Sequence, residues 1–216
     1  MVYKMKIYFD GCSFTYGSEL KDRLKSRYSR LLCDHFDAEE YNIAKGGGSN
    51  RRIARNLLEH DLSQYDMVVL QMTKRQRTEY YSYKHWQRVS WAKVVRNGIM
   101  SRKNNTSSKH WGRAERDDGN YERYVKDRDF WETYYRDIYN DEYGKSDEKI
   151  YYNLFKGLLR NKPHVILSIE KKPSVPVDIM IDKNIPRVTS KYDSHPNAEG
   201  HKLISKKIID CYEDLF

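Results

Sequence analysis

Residues 66–72 read DMVVLQM. After Asp66 the run is apolar apart from Gln71, and it does not alternate with polar residues as a strand with one wet face would. A continuous apolar strand of this length is what a parallel sheet covered on both faces produces. Working outward, two further runs share the character: KIYF at 6–9 and HVILSI at 164–169. The spacing predicts strands at Lys4–Asp10, Glu40–Ala44, Asp66–Met72 and Val165–Ile169. Between them, apolar residues recur at three and four, as on one helix face. The first such face carries Leu20, Leu24, Tyr28, Leu31, Leu32 and Phe36. The second carries Ile53, Ala54, Leu57, Leu58 and Leu62, and the third Ile150, Leu154, Phe155, Leu158 and Leu159, ended by the break at Asn161–Pro163. A last helix is expected to start at Pro196 and to bury Leu203, Ile204, Ile208, Tyr212 and Leu215. The stretch from Lys171 to Pro186 is irregular and holds three of the five prolines, with room for one short strand. Strands alternating with helices indicate an α/β fold with a mainly parallel sheet.

Composition sets the outer bounds. The 216 residues are enough for one domain with a real core, yet only 38% are hydrophobic and 33% are charged, so the core must lie in the few runs above. Lys and Arg exceed Asp and Glu by nine, which attracts polyanions or simply solvates a basic face. Three cysteines without a CxxC pair argue against a disulfide framework or a zinc site. No apolar run reaches the roughly 20 residues that a membrane span needs, and no signal-peptide h-region precedes the first strand. The expectation is a cytoplasmic, reduced protein without a cofactor, a metal or a membrane contact.

In open parallel sheets ligands sit beyond the carboxyl ends of the strands, which directs attention to the loops at 11–17, 45–50, 73–78 and 190–197. The first reads GCSFTYG and delivers Ser13 between the first strand and the first helix. There its backbone N–H can point at a developing oxyanion while its hydroxyl faces the cleft. The spacing is neither the GxSxG elbow nor a Walker A loop. The last loop, KYDSHPNAEGH, puts Asp193 two residues before His195. This is either a carboxylate that holds an imidazole as a general base, or an acid placed near the positive end of a helix dipole. Cys12 reads as a small core residue and His201 as a structural one. Ser49 or Asn50 can cap the second helix, and both lie close enough to the cleft to contact a substrate.

Taken together, these loops resemble the SGNH, or GDSL-type, hydrolase superfamily. Gly11, Cys12, Ser13 and Gly17 match the first block, with Cys12 in place of the usual Asp. Asn42 and Gly47 match the second, and His195, Pro196, Gly200 and His201 match the last. The match covers roughly residues 3–75 and 146–215. It implies a three-layer α/β/α sandwich with a mainly parallel, flavodoxin-like sheet. It also implies that Ser13 is the nucleophile, His195 its base and Asp193 the acid that orients His195, with the N–H groups of Ser13 and Gly47 in the oxyanion hole.

The chain departs from the pattern twice. The acid of the family's D-x-x-H would fall at Tyr192, one position before Asp193. The third block, usually G-x-N-D, is replaced by TKRQR, so that Thr73 takes the Gly position as a substrate contact while Arg75 and Gln76 stand where an oxyanion donor is expected. Between about 78 and 145 lies an insertion rich in charge and aromatics, including Trp86, Trp91, Trp111 and Trp131, expected as a helical lid. The function expected from all this is hydrolysis of an O-acyl ester of a polar small molecule or acetylated carbohydrate through an acyl-enzyme. Its alternatives are an O-acyltransferase of the same fold, or a non-catalytic module whose basic, aromatic insertion grips nucleic acid or an anionic glycan.

Overall fold

The structure is a computed structural model that describes residues 3–82, 85–90, 130–131, 133–181, 184–188 and 195–213. In chain order its elements are β1 (Lys6–Asp10), α1 (Ser13–Tyr16), α2 (Arg23–Ser26), α3 (Tyr28–His35), β2 (Glu39–Asn42), α4 (Asn50–Glu59) and β3 (Met67–Met72). A hairpin of β4 (Arg77–Ser82) and β5 (His85–Ser90) follows. Next come a π-helical turn at Tyr134–Ile138, α5 (Asp141–Leu158), β6 (His164–Ser168), β7 (Ile179–Met180) and α6 (Ala198–Glu213).

β1, β2, β3, β6 and β7 form one sheet in the order β2-β1-β3-β6-β7, and every pairing in it is parallel. All six residues of β3 are buried, because it is the middle strand and both of its faces are covered. Successive side chains point to opposite faces. Ile7, Phe9, Met67, Val69, Val165 and Leu167 therefore meet Tyr28, Leu32 and Cys33 of α3 and Ile204 and Ile208 of α6. Tyr8, Val68, Leu70, Met72 and Ile166 meet Ile53, Ala54 and Leu57 of α4, together with Phe155 and Leu159 at the end of α5. The result is the three-layer α/β/α sandwich. Each large side chain in it contributes about 1.5–3 kcal/mol by leaving water.

Several boundaries differ from the sequence expectation for identifiable reasons. The first helical face divides at Arg27, whose backbone is extended (φ −72°, ψ 146°) and whose guanidinium makes a two-pronged contact with Glu40 at 2.9 Å. Leu24, on the short leading piece, is left exposed. Leu58 and Ile150 are also exposed. At about 100° per residue Leu58 lies a quarter-turn from Leu57, and Ile150 falls off the stripe of Phe155. β2 ends at Asn42, where the side-chain carbonyl accepts the Ala44 N–H at 3.0 Å and turns the chain. Pro196 does not open the last helix: it sits in a bridge with Arg187, and Asn197 caps α6 by accepting the Gly200 N–H at 2.9 Å. Leu215 lies outside the described residues.

The insertion opens with an antiparallel hairpin rather than a helix, in register from Arg77↔Ser90 to Ser82↔His85. Its Thr, Tyr, Trp and Val content and its short connection are strand signals. At the far end Trp131, Tyr134, Tyr135, Tyr139 and Tyr143 form a chain of ring contacts. Trp91 and Trp111 lie outside the described residues. Among the described residues no helix is long and apolar enough to cross a membrane.

Candidate active site

Ser13 is the first residue of α1, one residue past the buried Cys12 that follows the end of β1 and Gly11. A helix leaves its first N–H groups without an intrahelical acceptor, so the Ser13 N–H is available to a ligand oxygen. Downstream, the Ser13 carbonyl accepts the N–H groups of Gly17 at 3.0 Å and Ser18 at 2.9 Å, closing the turn. Gly17 is left-handed at φ 80°, which a side chain would resist. Gly11 has a different reason to lack one: a Cβ there would run into Thr15 Oγ1 and stand 2.9 Å from Gln71 Cβ.

Gln71 is the residue that fixes this turn, and sequence reasoning missed it. Its side-chain carbonyl accepts from the Cys12 N–H at 3.2 Å, from Cys12 Sγ at 3.2 Å and from Thr15 Oγ1 at 3.1 Å, while its NH₂ donates to the Met72 carbonyl at 2.8 Å. The one polar residue inside DMVVLQM was the available signal. Cys12 is thus a packed core residue, 3.7 Å from the Ser13 hydroxyl.

The second loop packs directly on the first. Asn42 donates to the Thr15 carbonyl at 3.0 Å and to Ser29 Oγ at 2.8 Å. Gly47 is left-handed at φ 72°. A Cβ on Gly48 would stand 2.7 Å from the Gly11 carbonyl. Ser49 caps α4 by accepting the Arg52 N–H at 3.2 Å. Asn50 accepts the Thr73 N–H at 2.7 Å, which ties the second loop to the third. Beneath them Asp10 is fully buried against Arg52 at 2.6 Å and Asn56 at 2.8 Å. Burial pushes the Asp10 carboxyl up, while Arg52, Asn56 and the Gly11 N–H hold its charge.

In the third loop the Arg75 side chain is fully engaged elsewhere. It donates to the Lys172 carbonyl at 2.7 Å and to Asp141 at 3.3 Å, and lies 3.6 Å from Glu148 and 3.7 Å from Glu170. This corrects the expectation of a cation free to meet an oxyanion: Arg75 is a strut between the loop and α5. The Gln76 contact is through its backbone carbonyl, which accepts from Tyr135 O–H at 2.6 Å.

His195 arrives from the other end of the chain and is 6% exposed. Its ring meets Phe14, the residue after Ser13, edge-on with centroids 5.4 Å apart. Its Nδ1 lies 3.3 Å from Glu19 Oε2, a partner that the sequence did not suggest because nothing local marks it. Asp193 lies outside the described residues. His201 packs flat against Tyr28 and accepts the Tyr28 N–H at Nδ1 (3.1 Å). Its pKa is lowered to about 4 by burial and by the nearby His195. Among the described residues no cluster of His, Cys, Asp or Glu could hold a metal.

No protein-family model matches the sequence, and no curated protein matches it. Solved structures do. An acetyl xylan esterase from the rumen bacterium Butyrivibrio proteoclasticus shares 11% identity at a TM-score of 0.48, over 97% of this chain and 63% of that one. The chain thus spans less than two thirds of that protein. A psychrotrophic esterase from Pseudoalteromonas sp. shares 10% identity at a TM-score of 0.48, over 97% of each chain. A lipolytic protein of the G-D-S-L family from Desulfitobacterium hafniense shares 12% identity at 0.43, over 96% of this chain and 99% of that one.

Proposed function

We propose that this chain is a serine-dependent carboxylic ester hydrolase of the SGNH type. The observation that carries the reading is the meeting of two distant segments at the carboxyl edge of the sheet: the imidazole of His195 lies against Phe14, next to Ser13. A serine hydroxyl is a poor nucleophile until a base removes its proton, and in this reading His195 is that base. Ser13 Oγ attacks the acyl carbonyl, its proton passes to His195, and the N–H groups of Ser13 and Gly47 receive the developing oxyanion. Collapse expels the alcohol, protonated by His195, and leaves an acyl-Ser13 ester. Water then adds with His195 again as base, releasing the acid. With Arg75 engaged by carboxylates, the oxyanion depends on backbone donors. A polar acyl substrate such as an acetylated carbohydrate suits an insertion rich in charged and aromatic residues.

The test is hydrolysis of short-chain aryl esters by the wild type and S13A. A loss of at least about 10³-fold in kcat is expected, together with loss of fluorophosphonate labelling. Activity that survives the substitution would sink the assignment. If the acyl group is passed to an added sugar hydroxyl in preference to water, the enzyme is an O-acyltransferase working through the same intermediate.

A further inference from the structure

We infer that Glu19 is the carboxylate that positions His195, so that the nucleophile and the acid of the relay come from one short turn, residues 13–19. The inference rests on the esterase reading above and assigns a role that the resemblance gives to Asp193. Two independent observations carry it. The first is the contact: Glu19 Oε2 lies 3.3 Å from His195 Nδ1, an ion-pair distance without the alignment of a hydrogen bond, with the two side chains 32% and 8% exposed. A carboxylate at Nδ1 keeps the proton on that nitrogen, leaves the Nε2 lone pair free to accept the serine proton, and stabilises the imidazolium that results.

The second is the backbone. Glu19 stands at φ 68°, in the left-handed region where a side chain is disfavoured. Among the described residues only Asp37 shares this among non-glycines. Strain of this kind persists where the surroundings over-determine it, and it clusters at working sites. Here Gly17 ends α1, Ser18 closes on the Ser13 carbonyl, and the left-handed Glu19 carries its carboxylate back to the His195 ring. The distance between nucleophile and acid is then set within seven residues, whereas His195 alone is brought from afar. Among the described residues the charged and titratable groups near His195 include Glu19, His201, whose protonation His195 disfavours, and Arg187, whose guanidinium lies over the Phe14 ring at 5.4 Å.

The experiment compares E19Q and D193N in the full chain, with E19G as a second variant suited to the left-handed backbone. Nitrogen-15 NMR reads the tautomer of His195 whether or not the protein is an esterase. The expected result is an Nδ1–H tautomer in the wild type that gives way to a mixture in E19G, and to a lesser degree in E19Q, but persists in D193N, with thermal unfolding unchanged in E19Q. If hydrolysis is present, kcat in E19Q should fall roughly 10²- to 10⁴-fold with KM nearly unchanged, and the acid limb of the pH profile should move to lower pH. A His195 tautomer unmoved in both Glu19 variants, or moved more by D193N, overturns the assignment. Absence of Ser13-dependent hydrolysis alongside a moved tautomer would reject the esterase reading and leave the Glu19–His195 pairing standing.

Discussion

Gln71 shows how much of the site depends on a single side chain that does no chemistry. Its carbonyl oxygen receives three donors from the Cys12–Thr15 turn, all of them buried. Replacing it with leucine of similar size leaves the Cys12 N–H and S–H without this acceptor in a dry environment, while Thr15 Oγ1 keeps the Tyr28 hydroxyl at 2.7 Å, at a cost of about 2–3 kcal/mol. Because the same donors hold the residues on either side of Ser13, the loss should also reach the proposed ester hydrolysis. Q71L is therefore expected to lower both urea stability and kcat, and G11A should do the same by forcing Thr15 and Gln71 apart. A Q71L protein with wild-type turnover would show that the turn holds its shape without this clamp. The sequence made Ser13 visible through its neighbours Gly11 and Gly17. It left Glu19 hidden, because a glutamate beyond a turn looks like any solvated acid until His195 is brought beside it.

At the level of elements, the third loop is where sequence and structure part. Aligned by its strand, Arg75 stands where the resemblance expects an oxyanion donor, yet alignment gives a position and not a direction. The direction was set by α5, which presents the fully buried Glu148, with Glu170 at the end of the neighbouring strand. Such carboxylates draw any nearby guanidinium. R75A leaves the buried Glu148 without its cation, while Glu170 keeps Lys74 at 3.5 Å, and should destabilise the fold by about 3 kcal/mol. Adding E148Q should return part of that loss, because the two residues act on one network. If instead R75A lowered kcat with urea stability intact, Arg75 would belong to the oxyanion hole after all. The capping of α4 gives a smaller effect of the same kind: S49A removes the acceptor of the Arg52 N–H and should cost about 1 kcal/mol.

Across the whole molecule, the legible parts were those governed by burial. The strands β1, β3 and β6 and the stripes of α3 to α6 follow from apolar periodicity, since a strand covered on both faces has little choice of composition. The hairpin after β3 departs from the expected helix because its Thr, Tyr, Trp and Val content favours strands despite the charge around it. The sheet also brings the two ends of the chain together, setting His201 of α6 against Tyr28 of α3 across one side-chain layer. This junction makes stability depend on pH. His201 accepts the Tyr28 N–H, so it is held neutral, and its pKa falls from the ordinary 6.5 to about 4, first through burial and then through the charge of His195. Above pH 6.5 both the folded and unfolded chains leave this imidazole neutral, and nothing is lost. Below it the unfolded chain takes up a proton that the folded chain refuses, so stability drops as the pH falls, by about 2 kcal/mol at pH 5 and about 3 kcal/mol near pH 4. Urea unfolding at pH 7.5 and pH 5 measures this directly. H201Q keeps an acceptor for the Tyr28 N–H but cannot titrate, so it should be less sensitive to the same change even if it starts from a lower stability. An equal drop in both proteins would place the acid sensitivity on groups other than this histidine.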